Sequence, residues 1–437
     1  MNGAISAWII AAPAGGAVLA ALSIFAGGAG LWVRRVAAGL GFGVGTLAAV
    51  ESFFRLRHAG FMTSNLGGWA PPWGVELRLD ACTSWMLLGL YLAVWIASRR
   101  KGVEDESRAR ALSLRLLFLS GAAASLLLQD ALSLSGSIFL ASLALAGLLM
   151  DDTQPIPAEG VRPPFDFLIR TAVGQSVVLA GAGFLFARTG TFDLGGWKAR
   201  LASAQAVPEV GAAFLLLVFG FWIIAGAWPS VGWQGAAWAD SPAVVPERLW
   251  FSRWVFVLAA HMAQHVAVSP SGLSAIRLWD ATRWVAWAAF VVCTVGCLST
   301  KDRRKAWGFL DAAGLFLMWA LSDASSSVVA ALAVSQALGL TLVALAPSSQ
   351  RQSGVWTLKL LSAILLPGWW IFSVPGGSEV LKGSWGVGAA LLWLSITVLR
   401  VAKPLQNEEA ASAVSEQGFL SLGVVTLGVW VLALLLG

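Results

Sequence analysis

The run FGFWIIAGAWP, residues 219–229, is apolar throughout, with a glycine at position 226 and a proline at position 229. Its side chains suit a membrane-spanning helix, but proline removes a backbone donor and clashes with the preceding turn, so we expect a break at Pro229. The apolar stretch 356–375 repeats this combination at Pro367 and Pro375. Matched breaks in two halves of a chain are typical of inverted-repeat transporters. Two ordinary proline kinks are the simpler alternative.

The composition excludes several classes of protein. Of 437 residues, 58% are hydrophobic and 12% are charged, and the charged fraction is about half that of an ordinary soluble domain. A soluble enzyme, a disordered chain and a nucleic-acid-binding protein are therefore poor interpretations, and we expect a lipid bilayer around the chain and no nucleic acid. The net charge of +6 is explained by Lys and Arg collected on one side of a membrane. The cysteines and histidines fit no zinc or disulfide pattern.

About fourteen stretches are apolar enough to cross the hydrocarbon core, for which a helix needs about 20 residues. No segment between them is long enough for an attached soluble enzyme, so residues 1–437 are interpreted as a single transmembrane domain. We predict an all-α polytopic fold. Its spans are expected near 6–27, 36–54, 83–98, 111–129, 131–150, 167–187, 211–230, 248–268, 283–300, 306–321, 324–346, 356–375, 384–400 and 418–436.

The basic residues orient these spans. Most of the 29 Lys and Arg residues fall in the odd-numbered connections, with the clearest groups at 99–110 and 301–305. The positive-inside rule puts those connections in the cytoplasm and both termini outside it. The first basic residue is Arg34, so no charged segment precedes the first apolar run and we expect no signal peptide. We predict a multi-pass protein of the inner, cytoplasmic membrane.

Five segments of the chain follow one another in a recognisable order. GGWAPPWGVELRLD (67–80) precedes span three, DALSL (130–134) opens span five, RTGTFDL (188–194) follows span six, the 219–229 run lies in span seven, and residues 302–317 open span ten. Together they resemble the antiporter-like membrane subunits of respiratory complex I and of Mrp-type Na+/H+ antiporters. No single segment is specific for that family, and the resemblance covers roughly residues 60–400.

The resemblance implies a fold and a setting. Family members have about fourteen helices with two inverted five-helix repeats, spans 4–8 and 9–13, in which helices 7 and 12 are broken. The implied divisions are N-terminal helices in 1–110, a first repeat in 111–268, a second repeat in 283–400 and a C-terminal helix in 418–436. Members pack beside paralogous and other membrane subunits of one multisubunit complex. We expect no cofactor, metal or catalytic residue here, so the chain would at most be a subunit of an NADH:quinone oxidoreductase-like enzyme.

The ionisable residues of the family's proton path are replaced at the matching positions. Phe139 stands where span five of the family has a glutamate, and Ile224 stands where span seven has a lysine. Neither side chain can hold or pass a proton, so the coupled acid–base pair is lost. The remaining degenerate positions are Val231 after the first break and, aligned less securely, Ser335, Gly339 and Ser378 in spans eleven and twelve.

A few ionisable residues remain inside or beside the predicted spans, where such groups are candidates for function. His261 and His265 share one helical face. We expect them to be a packed pair, with a remnant of a proton path and haem ligation as alternatives. Asp311 is expected to pair with the basic cluster 301–305, and Asp323 is expected at the outer mouth.

Two hypotheses of function follow. The first is a structural or coupling subunit of a membrane arm, which has kept the fold and lost its own proton path. The second is an active proton- or cation-translocating subunit of a respiratory, hydrogenase or inorganic-carbon uptake system, which uses relocated ionisable residues. An unrelated transporter would require all five matches to be coincidental. Continuous buried charge near the bilayer midplane would favour the second hypothesis, and a packed apolar midplane would favour the first.

Overall fold

The computed structural model describes residues 5, 7–23, 25, 30–59, 61–66, 68–69, 74–98, 105–151, 162–202, 208–227, 245–267, 273–299 and 303–320. Within these ranges the chain is almost entirely helical, apart from one two-stranded hairpin. The helices are α1 (Trp8–Leu22), α2 (Gly30–Ala38), a π-helical turn (Gly39–Val44), α3 (Gly45–Ala59), α4 (Ala81–Ser98), α5 (Asp105–Leu127), α6 (Ala131–Asp151), α7 (Arg162–Thr189), α8 (Leu194–Ala202), α9 (Pro208–Ala225), α10 (Val245–Ala267), α11 (Leu273–Ser299) and α12 (Arg303–Ala320). The strands are β1 (Met62–Leu66) and β2 (Val75–Leu79).

The helices agree with the prediction of a helical, polytopic membrane protein. Five stretches among the described residues are long and apolar enough to cross a membrane, namely Gly30–Leu56, Ala109–Leu127, Ala131–Met150, Pro164–Thr189 and Pro208–Ala225. Helices occupy the positions of the predicted spans as far as residue 320. The predicted spans from residue 324 onward lie outside the described residues, so the total of about fourteen helices and the two inverted repeats stay predictions.

The second span is longer than predicted because three helical segments continue one another. Residues 30–59 are helical where the sequence predicted 36–54, and the glycine-rich centre forms the π-helical turn. Two of its glycines allow close packing: a Cβ on Gly41 would lie 2.4 Å from Leu116 Cδ2, and one on Gly45 would lie 2.6 Å from Tyr91 Oη. The missing side chains therefore let this stretch approach α5 and α4 closely.

Helix α10 lies at the centre of the described bundle. Every side chain from Glu247 to Ala260 is buried, and the helix packs against α4, α5, α8, α9, α11 and α12. A helix that is buried all round needs no amphipathic pattern. Any charged residue on it must therefore find its partners inside the protein.

Helices α7 and α9 cross at two glycines. A Cβ on Gly174 would lie 2.8 Å from the Gly220 carbonyl oxygen, and a Cβ on Gly220 would lie 2.9 Å from the Gly174 carbonyl oxygen. Small residues at such positions let two membrane helices bring their backbones together. The crossing places Ile224 of α9 directly against Gly174, because the same added Cβ would lie 2.6 Å from Ile224 Cγ1.

Helix α9 ends at the glycine of the expected break. Gly226 has a φ of 74°, the left-handed conformation that glycine adopts without strain. The Ala227 N–H donates to the Trp222 carbonyl at 2.8 Å and the Gly226 N–H donates to the Ile223 carbonyl at 3.1 Å, which is the Schellman pattern of a helix C-terminus. Pro229, Pro367 and Pro375 lie outside the described residues, so breaks at those prolines stay predictions.

Candidate functional site

Three of the segments that carry the family resemblance meet at one end of the bundle. Strand β2, which belongs to the first segment, receives a hydrogen bond at the Glu76 carbonyl from the Gln129 N–H at 3.0 Å. The Gln129 carbonyl in turn accepts from the Leu194 N–H at 2.9 Å, and the Phe192 carbonyl accepts from the Ala131 N–H at 3.0 Å. The loops before α6 and α8 are thus joined to the β-hairpin by backbone bonds, which satisfy buried main-chain groups.

The aspartates of these segments act as helix N-caps. Asp80 Oδ1 accepts from the Thr83 N–H at 2.9 Å at the start of α4. Asp130 Oδ1 accepts from the Ser133 N–H at 2.8 Å at the start of α6, and Asp193 Oδ2 accepts from the Gly196 N–H at 2.6 Å at the start of α8. A carboxylate at this position satisfies an otherwise unpaired donor and interacts favourably with the helix dipole. The three motif aspartates therefore have a structural role in positioning helices.

Two carboxyl groups of this junction are held in a less polar setting than water. Burial raises the pKa of Asp193 above its usual value, the Gly196 N–H lowers it, and the neighbouring Asp130 charge raises it. Burial also raises the pKa of Glu76, with a further rise from Asp193 and an opposing effect of Arg78. The junction therefore contains carboxyl groups that disfavour one another's ionised form.

The two residues predicted to replace the family's acid–base pair lie in different surroundings. Ile224 is 1% exposed and packs against Gly174 at the crossing of α7 and α9. Phe139 is 42% exposed, on the surface of α6. Helix α7 packs against both α6 and α9. The alignment pairs these residues, but the structure buries only one of them.

Trp222, two residues before Ile224 on α9, belongs to a cluster of buried aromatic side chains. The ring of Trp222 lies 6.2 Å from that of Phe256 in α10, 5.3 Å from that of Phe316 and 5.5 Å from that of Trp319 in α12. All four side chains are at most 1% exposed. This cluster of Trp222, Phe256, Phe316 and Trp319, the aromatic cluster, packs α9, α10 and α12 together without any titratable group.

Two ion pairs lie inside the described bundle. Arg253 Nη1 of α10 lies 2.6 Å from Asp311 Oδ1 of α12, with side-chain exposures of 0% and 2%. Arg115 Nε of α5 lies 2.6 Å from Glu247 Oε1 of α10, with side-chain exposures of 11% and 0%. Arg248 is also buried and interacts electrostatically with Asp311 and Arg253. Asp311 was expected to pair with the basic cluster 301–305, and its partner in the structure is Arg253 of another helix.

These ion pairs favour fixed charges. A guanidinium stays protonated under all ordinary conditions and can only donate hydrogen bonds. Asp311 and Glu247 are therefore each held in place by a cation that cannot accept their protons, which suits a brace between helices better than a proton relay.

The two histidines of α10 form a close pair. Their ring centroids lie 4.8 Å apart at an interplanar angle of 83°. The charged groups that act on His261 are Asp80 and Arg78, both just before α4. No group of three or more His, Cys, Asp or Glu side chains that could hold a metal ion occurs among the described residues. The pair thus faces the charged start of α4.

Four buried charged residues were not recognised from the sequence, namely Arg115, Glu247, Arg248 and Arg253. The signal was present, because Arg248 and Arg253 fall within the predicted span 248–268, and an ionisable residue inside a span is a candidate for function. Which charges pair could not be deduced, since the partners come from separate helices. The expected site residues Val231, Asp323, Ser335, Gly339 and Ser378 lie outside the described residues.

Comparison with known proteins agrees with the arrangement of these segments. No protein-family model matches the chain. It is 25% identical over 206 residues to an NADH-quinone oxidoreductase subunit of Desulforudis audaxviator, which is 46% of this chain and 40% of that protein. It is 23% identical over 189 residues to a Na+/H+ antiporter subunit of Bacillus subtilis, which is 43% of this chain and 38% of that protein. The chain thus matches about two fifths of the length of these curated relatives.

Solved structures extend the likeness in fold over nearly the whole chain. A chain of the membrane-bound sulfane sulfur reductase, an archaeal respiratory membrane complex, superposes with a TM-score of 0.75 at 16% identity, covering 97% of this chain and 94% of that one. A chain of the Mrp complex from Dietzia gives a TM-score of 0.66 at 15% identity, covering 89% and 78%. The chain is thus similar in fold to membrane subunits of respiratory and Mrp complexes and, over part of its length, similar in sequence to complex I and antiporter subunits.

The relatives and the structural neighbours share a membrane setting. The relatives are integral membrane subunits, and the structural neighbours are chains within multisubunit membrane complexes. The exposed apolar side chains of α6, α7 and α11 are accordingly suited to contact lipid or other membrane subunits. The segments that carry the resemblance meet at the junction of helix caps, and Ile224, at the position expected to match the family's lysine, is buried.

Proposed function

We propose that this chain is a structural or coupling subunit in the membrane arm of a complex-I-like or Mrp-like ion-translocating assembly. The family's own proton route is degenerate in it. The observation that carries the proposal is the burial of Ile224, at the position matched to the family lysine, against Gly174 at the crossing of α7 and α9. A proton route needs titratable groups coupled by water or hydrogen bonds. This part of the interior is packed with apolar groups instead.

The buried ion pairs support the same proposal. The Arg115–Glu247 pair joins α5 to α10, and the Arg253–Asp311 pair joins α10 to α12. Such pairs fix the position of one helix against another, because a displaced partner would leave a charge unpaired in a low-dielectric interior. A braced bundle can transmit displacement between neighbouring subunits. The proposed partners are paralogous antiporter-like subunits and other membrane subunits, and the proposed location is the inner membrane with both termini outside the cytoplasm.

A second candidate function is active proton or cation translocation through relocated ionisable residues. The buried carboxylates Glu247 and Asp311 and the histidine pair of α10 favour it. The guanidinium partners count against it, because a guanidinium only donates hydrogen bonds and cannot accept a proton from the carboxylate beside it. The two candidates therefore differ in whether these side chains must change protonation during turnover.

Driven ion flux separates the two candidates. The purified assembly would be reconstituted in proteoliposomes and driven by its natural energy source, with proton and Na+ flux recorded. The variants in this chain are the charge-free double variant Arg253→Met/Asp311→Leu and the single variants Glu247→Gln and His261→Phe. The control is Ile224→Leu, which keeps the apolar side chain, and subunit composition is verified for every preparation.

We expect flux per turnover to stay within about twofold of wild type in every correctly assembled variant, since no proton passes through these groups. A loss of flux in Glu247→Gln or His261→Phe, with electron transfer or the other driving reaction unimpaired, would establish translocation through this chain and refute the structural proposal.

A further inference from the structure

One face of α10 carries polar or titratable side chains from one end of the helix to the other. At 3.6 residues per turn, Glu247, Trp250, Trp254, His261 and His265 fall within an arc of about 80°. Leu258 lies within the same arc and is the sole purely apolar side chain on it. At about 1.5 Å per residue, the arc extends about 27 Å from Glu247 to His265, close to the roughly 30 Å thickness of a bilayer core.

This face of α10 points at α4 and α5. Arg115 Nε of α5 donates a hydrogen bond to Glu247 Oε1 at 2.6 Å, and the ring of Trp254 lies 6.4 Å from that of Phe118 in α5. A Cβ on Gly89 of α4 would lie 2.4 Å from Trp250 Cη2. The family lysine position, Ile224, is on α9 instead. The polar face is therefore separate from the positions at which the family path was expected.

Several polar atoms on this face are buried and lack a hydrogen-bond partner within the described part of the chain. They are Glu247 Oε2, Trp250 Nε1, Trp254 Nε1 and His265 Nδ1. A buried polar atom without a partner is costly, so in native proteins such atoms are bonded to water. An internal water needs two to four polar partners and a polar site. Glu247, Trp250 and Trp254 place such atoms on three successive turns of the helix, and His265 places another about three turns further on.

We propose that this face of α10 binds a file of internal water between α10 and the pair α4–α5, interrupted at Leu258. One water compartment lies at Glu247, Trp250 and Trp254, and the other lies at His261 and His265. The indole N–H groups donate to water, and Glu247 Oε2 accepts from it. Leu258 is 3% exposed and separates the compartments as an apolar constriction, which excludes water over one helical turn.

The proposal goes beyond a structural or coupling role, because it assigns a polar route across the membrane that is closed in the resting protein. It requires no driven transport by this chain. Passive proton leak tests it separately from driven flux, so either result can be obtained whatever the outcome for the proposed function.

The test replaces Leu258, the side chain that forms the constriction. Leu258→Asn keeps the side-chain size and adds polar atoms that can hold water. Leu249→Asn is the matched control, since Leu249 is on the same helix, is 1% exposed and points about 180° away from Leu258. The purified assembly in proteoliposomes, without its energy source, is given a potassium diffusion potential, and proton entry is read with an internal pH dye.

We expect Leu258→Asn to raise the passive proton permeability at least tenfold over wild type and Leu249→Asn to leave it unchanged. Equal leak in both variants, or no leak in a correctly assembled Leu258→Asn preparation, would overturn the proposal. Brief hydroxyl-radical footprinting of the wild-type assembly adds a measurement that needs no variant, because radicals made from bound water label adjacent side chains.

The footprint is expected at Trp250 and Trp254. Trp197 is the internal control, because it is equally buried and its Nε1 already donates to the Thr191 carbonyl at 2.7 Å. Labelling of Trp250 and Trp254 no greater than that of Trp197 would show a dry interface and would also overturn the proposal.

Discussion

Arg253 of α10 and Asp311 of α12 form an ion pair in which Nη1 and Oδ1 lie 2.6 Å apart and neither side chain is more than 2% exposed. The pair lies on helices that also meet in the aromatic cluster, through Phe256 and Phe316. A charge pair and an apolar cluster thus hold the same two helices together. Their energetic roles differ, because the ion pair contributes mainly through the penalty of breaking it.

Breaking this pair on one side is expected to be more harmful than removing it. We expect Asp311→Asn to destabilise the protein by about 3–5 kcal/mol, because Arg253 would remain as an uncompensated buried charge. The double variant Arg253→Met/Asp311→Leu is expected to unfold much closer to the wild-type temperature. Thermal unfolding of the purified assembly, followed by tryptophan fluorescence, measures both. A double variant less stable than Asp311→Asn would contradict this account.

The glycine crossing of α7 and α9 gives a prediction with an internal control. Gly174→Ala and Gly220→Ala place a Cβ 2.8 Å and 2.9 Å from a facing carbonyl oxygen, and such overpacking costs about 1–3 kcal/mol. Gly183→Ala on α7 meets nothing within 4 Å and should be neutral or slightly stabilising, since alanine favours helix. Unfolding temperatures of the three variants check the order. Similar values for Gly174→Ala and Gly183→Ala would show that the helices do not approach closely.

Asp193 is expected to make stability depend on pH in a defined direction. Its pKa is raised mainly by burial, opposed by the Gly196 N–H and raised further by Asp130. The folded state therefore binds this proton more tightly than the unfolded state. The contribution of the protonated group is fully present below the unfolded pKa near 3.8 and is lost as the pH rises through the folded pKa.

Asp193→Asn removes this titration and keeps an oxygen that can accept from Gly196. We expect the variant to gain stability relative to wild type as the pH is raised from about 4 towards neutrality, as measured by unfolding temperature at each pH. Asp193→Ala lacks the cap as well and should lose about 1 kcal/mol relative to Asp193→Asn. If the stability of Asp193→Asn relative to wild type falls as the pH rises, the pKa of Asp193 is lowered on folding and the expected direction is wrong.

Features of the fold that depend on neighbouring residues could be predicted from the sequence, and features that depend on distant residues could not. Spans such as 131–150 were located because apolar length is a local property, and α6 covers Ala131–Asp151. The β-hairpin and α8 were not foreseen, since both lie in polar connections without a strong period. The break expected at Pro229 lies outside the described residues, and the left-handed Gly226 ends α9 just before it, through a backbone preference that proline positions do not reveal.

The candidate site was less predictable than the fold. The alignment identified Ile224 as a lost lysine position, and its burial beside Gly174 depends on a crossing between two helices. Arg253 and Asp311 are 58 positions apart, so their pairing depends on the tertiary arrangement of α10 and α12. The polar face of α10 was visible only in part, as the spacing of His261 and His265. Its tryptophans resemble ordinary core residues in the sequence, and only the structure shows that their indole nitrogens lack a partner among the described residues.

Restoring the family's acid–base pair gives a final prediction. Ile224→Lys puts an ammonium group against Gly174 at the buried crossing of α7 and α9, where a buried, unpaired charge costs several kcal/mol. In a coupled pair, adding Phe139→Glu would relieve that cost. The structure indicates that it will not, because Phe139 is 42% exposed on α6 and Ile224 is 1% exposed on α9.

We therefore expect the destabilisation of the Phe139→Glu/Ile224→Lys double variant to equal the sum of the two single variants within about 0.5 kcal/mol, as holds for independent sites. The measurement is a double-mutant cycle of unfolding temperatures in the purified assembly, with Ile224→Met as the control for altered shape without charge. A double variant more stable than Ile224→Lys alone would show that the two positions still communicate. That result would favour ion translocation through this chain over the structural role proposed above.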